Sequence, residues 1–274
     1  ARYYGKKLGY DVSKIGIAGH SKASYSALTA REHPELLEEI GSYEQYGYEK
    51  GENYGEQPFL TYDDGTPIPS NVQCCYTSMG DGAAKFNRLL NETTAPSVIA
   101  CGYYDEFGAW NYWEAEQAAY KKWDVKNLAM SMLDLGHAYP YGIDTVYKYD
   151  RYAAMVDFFD YYLNNGAPKL VYTSPVDKAD KFKFDGEIKL KFNAPMNEES
   201  IKKGVKVIKT SNNSEVKGTW TKCNGNTEWT FEHDILEPEE TYNIVVMQKV
   251  TDENGVAIDE GCVTRFYTEL GSNA

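Results

Sequence analysis

The stretch Lys14-Ile-Gly-Ile-Ala-Gly19-His20-Ser21-Lys22-Ala23, followed by Ser-Tyr-Ser-Ala-Leu-Thr-Ala, decides how the first half of this chain is read. Small and apolar residues run into a glycine turn that carries a serine, and an alanine-rich helical pattern comes directly after. This is the strand–turn–helix setting of a nucleophile elbow, with Ser21 as the candidate nucleophile. So sharp a turn needs small residues two before and two after the serine, because larger ones would collide with the strand or the helix. Gly19 and Ala23 meet that demand, although the commonest form of the motif has glycine at both places and this one reads G-x-S-x-A. The simpler alternative is a helix whose amino end is capped by Ser21 after a glycine turn.

Outward from this stretch the pattern alternates. Residues 1–9 read as the end of a helix closed by Gly9, and Asp11-Val-Ser-Lys leads into a strand over Lys14 to Ala18. The helical pattern after Lys22 ends near His33-Pro34, and the chain is expected to return to the sheet by Tyr43. From Glu44 to Ser70 it is rich in Gly, Tyr, Pro and acids without periodicity, a long excursion of the kind that serves as a functional lid or a mobile loop. Residues 81–91 look helical, and Ala95 to Gly102 reads as a short buried strand. A helix over about 111–123 precedes the strand Asn127 to Leu133 and the loop Asp134-Leu-Gly136-His137-Ala138. A last amphipathic helix is expected from about Val146 to Leu163, with Tyr149, Ala153, Val156, Phe159 and Leu163 on its apolar face. Strands alternating with helices predict an α/β fold with a parallel sheet covered on both faces.

The chemistry-bearing residues keep to the same alternation. Ser21 comes after one strand, Asp105 after a later one and His137 after the next, which is the chain order of a Ser–Asp–His triad on an α/β sheet. In a parallel sheet all three lie at the carboxyl ends of their strands, where open α/β sheets bind ligands. Taken singly, Asp105 also reads as a turn former and His137 as a loop histidine. Glu106 and Asp134 are neighbouring acids, but Asp105 has the Gly-x-x-Asp setting. On these motifs residues 1–166 resemble the carboxyl-terminal half of the α/β-hydrolase superfamily of esterases, lipases and serine peptidases. The resemblance implies that Ser21 attacks a carbonyl, that His137 moves its proton, that Asp105 orients the imidazole, and that the backbone N–H of Lys22 is one oxyanion donor. It implies no metal and no cofactor. His20, Tyr104 and Trp110 are the candidates for substrate contact. The aromatic run Tyr103, Tyr104, Phe107, Trp110, Tyr112 and Trp113 could form an acyl or sugar-ring subsite, or Trp110 and Trp113 could pack the next helix.

Residues 167–274 read differently. Of 24 tyrosines, 21 lie at or before Tyr162, so usage changes near Gly166. Beyond it, Glu187 to Asn193, Gly204 to Ile208 and Thr241 to Met247 alternate with period two between Asn-, Gly- and Pro-rich turns, as in an all-β sandwich. Phe192-Asn-Ala-Pro195-Met196-Asn197, Leu236-Glu-Pro-Glu-Glu-Thr-Tyr242, Val250-Thr-Asp252-Glu-Asn254-Gly255 and Phe266-Tyr-Thr268 resemble the bacterial Ig-like domain of multidomain surface and secreted proteins. The resemblance implies a spacer or accessory module and an extracellular or cell-surface setting. Trp220 and Trp229 could contact sugars, core packing being the alternative. Five cysteines are an odd count without metal-ligand spacing; Cys223 and Cys262 could bridge, or be two buried thiols.

Charge narrows the partners. The chain has a formal net charge of −13, with 14 basic and 23 acidic residues up to Gly166 and 14 and 18 beyond. Both halves repel phosphate backbones, which excludes nucleic acid as a partner. No apolar run has the length of a membrane span. The expected function is that of a secreted bacterial serine hydrolase, an esterase acting on carbohydrate-linked or small acyl esters. A peptidase of the same superfamily is the alternative, or a non-catalytic surface protein with a degenerate hydrolase half. Ala1-Arg2-Tyr3 is not a natural start, and the superfamily's sheet has strands ahead of the elbow strand whose loop supplies a second oxyanion donor. The expectation is a sheet completed by a second chain or an amino-terminal piece, and a poor catalyst without it.

Overall fold

The computed structural model describes residues 2–21, 23–24, 27, 63–66, 72–78, 94–106, 109–132, 136, 143–144 and 149–271. A short helix, α1 (Arg2–Lys7), leads through Gly9, at φ +80°, to β1 (Gly16–His20). β1, β2 (Cys74–Ser78), β3 (Ser97–Gly102) and β4 (Asn127–Met132) pair in that order, every pair parallel. Among the described residues β1 therefore stands at one end of the sheet. The excursion over Glu44 to Ser70, the expected return to the sheet by Tyr43 and the helix expected at 81–91 lie outside the described residues, apart from a turn at 63–66. That turn is tied to α1 by the exposed ion pairs Lys6–Asp64 (3.2 Å) and Lys7–Asp63 (3.1 Å).

Period-two placement explains how β3 is covered. Val98 and Ala100 face one way, with Cys74 and Tyr76 of β2, against Ala154 and Phe158 of helix α3 (Arg151–Asn164). Ile99 and Cys101 face the other way, against Trp113 and Tyr120 of helix α2 (Trp113–Lys122) and Val125. Both faces are thus closed, as a parallel sheet requires. β2 was not expected from sequence: Cys-Cys-Tyr-Thr-Ser has no apolar alternation, because all five residues are buried.

The last helix differs from expectation in start and in facing. A two-stranded ladder of β5 (Ile143–Asp144) and β6 (Tyr149–Asp150) takes Tyr149, so the helix starts at Arg151. Its buried face is Ala154 and Phe158, with Phe159 and Leu163 partly buried beside them; Ala153 and Val156, expected inside, are exposed. The cause is that α3 serves two neighbours. While Phe158 meets the parallel sheet, Tyr161 packs on the core of the second half. Asn165, at φ +58°, and Gly166 then end the helix.

The second half is a sandwich of two four-stranded sheets. One orders β10 (Val205–Lys209), β13 (Thr241–Val246), β14 (Cys262–Thr268) and β8 (Ala179–Phe182). The other orders β11 (Gly218–Cys223), β12 (Glu228–His233), β9 (Ile188–Phe192) and β7 (Leu170–Ser174). All pairs are antiparallel except β14 with β8. Inward residues of both sheets, Ile188, Leu190, Phe192 and Trp229 against Tyr242, Ile244 and Phe266, make one core. Trp220 and Trp229 are buried there, which leaves neither face open to a sugar. A short helix, α4 (Glu198–Gly204), is capped by Asn197, whose side chain accepts from the Ser200 N–H at 3.0 Å. All five cysteines are free thiols, so the bridge between Cys223 and Cys262 is not formed.

The sandwich is docked on the parallel sheet by specific polar contacts. The Tyr161 hydroxyl donates to the Asp252 carboxylate at 2.7 Å, and that fully buried carboxylate also accepts from the N–H groups of Asn254 (2.9 Å) and Val256 (2.8 Å). The Asp157 carboxylate takes Lys169 at 2.7 Å, and its carbonyl takes the Asn193 side-chain amide at 2.9 Å. Asp124 accepts from Gly225 N–H at 2.7 Å. Gly225 is at φ +63°, and a Cβ there would stand 2.7 Å from the Lys126 backbone, so only glycine allows the approach. Asp124 and Lys126 immediately precede β4, and Lys14, which precedes β1, donates to Asn165 at 3.2 Å. These contacts lie at the amino-terminal edge of the sheet.

Burial and the Asp252 carboxylate hold the Tyr161 phenol above its ordinary value of 10.0. The folded state therefore keeps this proton after the unfolded chain has lost it, so the stabilisation is present below about pH 10 and is lost as pH rises above it. Tyr161→Phe should cost about 1–2 kcal/mol at pH 8, and Asp252→Ala about 3 kcal/mol because three donors lose their acceptor. Urea unfolding at pH 8 and at stepped alkaline pH checks both, with Tyr161→Phe showing the shallower alkaline decline.

Candidate active site

β1 runs out at His20, and the backbone turns at once. Ser21 is at φ +55°, a left-handed conformation that non-glycine residues rarely adopt. Ala23, Ser24 and Ala27 beyond it are already helical. A capping serine would be extended, so Ser21 occupies the apex of a strand-to-helix turn and not a cap position. The turn is held on both sides. The Ser21 N–H donates to Ser78 O at 2.8 Å. The buried Ser24 hydroxyl reaches Gly19 O (3.1 Å) and Ser78 O (3.0 Å), and the Ser24 N–H donates to Ser21 O at 3.0 Å.

Gly19 shows why the small residues are needed. A Cβ there would stand 2.6 Å from the Ala23 carbonyl carbon and 2.8 Å from the Ser24 nitrogen. It would lie nearer still to the Ala23 carbonyl oxygen. All are backbone atoms that cannot rotate away. Such packing of strand against helix exists only without a side chain at Gly19.

The sheet brings further residues to the same edge. His20 pairs in register with Ser78, and its ring Nδ1 lies 2.8 Å from the Ser78 hydroxyl. This candidate substrate contact is thus also tied into the sheet. Two strands across, β3 ends at Gly102, and the Asp105 N–H returns to Gly102 O at 3.2 Å. Asp105 is 7% exposed, whereas Tyr103 and Tyr104 before it are 49% and 66% exposed. A carboxylate so buried requires donors around it. From beyond β4, Gly136 comes against this loop: a Cβ on it would meet Tyr104 O at 3.2 Å and Glu106 Oε2 at 3.1 Å. His137 and Lys22 lie outside the described residues, as do Phe107 and Asp134. The structure thus places Ser21 and Asp105 at one sheet edge and brings residue 136 to the acid loop.

Ser78 is a residue that sequence reasoning missed. Its carbonyl and hydroxyl hold Ser21, Ser24 and His20 together, yet its only sequence signal was a polar end to a short buried run. The aromatic run after the acid divides. Trp113 is buried in the core with Tyr120, Trp110 is stacked on it at 5.7 Å, and Tyr103 stands edge-on to both Trp110 and Tyr104 at 5.1 Å. Burial, aided by neighbouring Cys75, pushes the Cys74 thiol up to about 12, and burial lifts Cys223 to about 11. Neither is a thiolate nucleophile near neutral pH. Among the described residues no cluster of His, Cys, Asp and Glu is placed to hold a metal, and no helix is long and apolar enough to cross a membrane.

Residues 164–268 match the bacterial Ig-like domain family. Among solved structures, CopC from Methylosinus trichosporium OB3b is 15% identical over 39% of this chain and 98% of its own, with a TM-score of 0.32. A native alpha-2-macroglobulin fragment from Escherichia coli spanning domains MG0-NIE-MG1 is 18% identical over 38% and 33%, with a TM-score of 0.31. The surface layer protein SbsC, domains 1–6, is 16% identical over 39% and 14%, with a TM-score of 0.30. No curated protein matches the chain.

The contact at Gly19 has a measurable consequence. Gly19→Ala should lower stability by about 3 kcal/mol, since strand and helix must part to admit one methyl group. Chemical denaturation measures this, and an unchanged midpoint would show that the turn is not tightly packed. At the other end of the molecule the match and the sandwich agree, and the chain carries a bacterial Ig-like domain in its second half.

Proposed function

We propose that the chain is a secreted bacterial serine hydrolase of the α/β-hydrolase type, an esterase acting on carbohydrate-linked or small acyl esters. The observation that carries the reading is Ser21 at φ +55° on a turn with no room for a Cβ at Gly19. Strained backbone of this kind clusters at reactive sites. The buried Asp105 at the same edge supports it, as does Gly136 on the acid loop, one peptide unit before His137.

In this reading Ser21 Oγ forms a bond to the ester carbonyl carbon as its proton passes to His137. Asp105 holds the imidazole in the required tautomer and stabilises its cation. The Lys22 N–H donates to the developing oxyanion. The bond to the alcohol oxygen then breaks and that oxygen takes the proton from His137. Water, activated by the same histidine, releases the acid and restores Ser21. The edge bearing Ser21 is opposite the one on which the Ig-like domain docks, so substrate reaches the serine unobstructed by that domain. Such domains occur in bacterial surface proteins, which favours an extracellular setting and polysaccharide esters as substrates.

Covalent labelling by a fluorescent organophosphonate tests the reading. The parent chain should label at Ser21; Ser21→Ala should not label, and His137→Ala should label at least about a hundredfold more slowly. Absence of labelling in the parent would identify a non-catalytic protein. Faster turnover of aminoacyl amides than of short acyl aryl esters would identify a peptidase instead.

A further inference from the structure

Two adjacent exposed tyrosines stand immediately before the buried Asp105, and their surroundings are not those of scattered surface aromatics. Single exposed apolar side chains are ordinary; a connected row anchored in the core is not. Here the row runs from the buried Trp113, through Trp110 stacked parallel to it at 5.7 Å with 12° between planes, to Tyr103 at 5.1 Å, and on to Tyr104 at 5.1 Å. The inner members fix the outer ones, so the two exposed rings are held where they stand. Rings fixed in advance lose little side-chain entropy when a ligand stacks on them.

We propose that Tyr104, held edge-on by Tyr103 and braced through Trp110 on Trp113, forms a stacking subsite for a neutral sugar ring on the alcohol side of the ester. The inference rests on the hydrolase reading of Ser21. Three features select this ligand. The two tyrosines follow the carboxyl end of β3, which is two strand spacings, or about 10 Å between backbones, from β1, the strand that leads into Ser21, so they share the serine's sheet edge. A flat aromatic face accepts the C–H face of a pyranose while leaving its hydroxyls in water, as half-exposed rings require. The third feature is charge. The net charge is −13, and of two exposed carboxylates Glu106 falls within the row in sequence and Glu114 directly follows it. A uronate or sulfated sugar would be repelled there, whereas a neutral pentose or hexose unit would not.

The test is calorimetric titration of Ser21→Ala, which removes turnover, with xylohexaose and cellohexaose as neutral probes and a galacturonate hexamer as the anionic one. We expect binding of a neutral probe, at least about tenfold weaker binding of the anionic one, and about tenfold weaker neutral binding when Tyr103→Ala and Tyr104→Ala are added. Tyr104→Trp should retain binding, which separates loss of stacking from loss of fold. On an acetylated neutral oligosaccharide the double tyrosine variant, with Ser21 intact, should raise KM more than it lowers kcat. Equal neutral affinity with and without the tyrosines, no binding of any neutral probe, or a preference for the galacturonate would each overturn the inference. Organophosphonate labelling of the parent chain separates the two ideas. Labelling without sugar binding removes the subsite and leaves the hydrolase; sugar binding without labelling keeps the subsite on a non-catalytic protein.

Discussion

Everything at the candidate site depends on one close approach, that of the β1 backbone at Gly19 to the first helical turn at Ala23 and Ser24. With no Cβ between them the two backbones meet, and the single residue that must reverse the chain, Ser21, is driven to φ +55°. Hydrogen bonds from the turn to Ser78 then anchor it to the neighbouring strand. The strained serine is over-determined by backbone contacts on two sides, which is the condition under which such strain persists.

That arrangement needs a rigid support, and the parallel sheet provides it. β2 and β3 are buried along their whole length, with α3 on one face and α2 on the other. Because all four strands run the same way, the loop leaving each strand emerges at one edge. Ser21, Ser78 and Asp105 share that edge for that reason, although 57 and 27 residues separate them in the chain. The same directionality leaves the opposite edge to the sandwich. Asp124, Lys126 and Lys14 meet it at strand beginnings, while Tyr161 reaches Asp252 from the end of α3. A module joined this way is a docked body and not a loose tether, and it supports the sheet without covering the serine.

How much of this was legible in the sequence depended on whether the deciding interactions were local. The sharp strand-to-helix turn could be read at Gly19, Ser21 and Ala23 because such a turn restricts residues close in sequence. The strand at residues 97–102 was legible as a short apolar run ending in glycine, and the strands of the second half by their period of two, both being local patterns. The match over residues 164–268 agrees with the motifs from Phe192 to Thr268 that resembled an Ig-like domain.

What only the tertiary structure decided lies where burial erases the pattern or where two distant segments compete for one side chain. β2 is buried on both faces and so has no alternation, and its polar Thr77 and Ser78 interrupt the apolar run by which β3 was read, so neither its existence nor the role of Ser78 was visible. Helix α3 is aromatic around much of its circumference, and its facing was set by the sandwich claiming Tyr161 while the sheet claimed Phe158. The aromatic run after Asp105 was ambiguous for a similar reason. Composition placed six rings together, but only the fold assigned Trp113 to the core, Trp110 to the stack above it, and Tyr103 and Tyr104 to the surface. The sequence by itself determined the alternation of elements, the residues able to make the sharp turn, and the change of architecture near Gly166. The fold decided which of those residues meet, because contact between distant segments is settled by packing and not by any local rule.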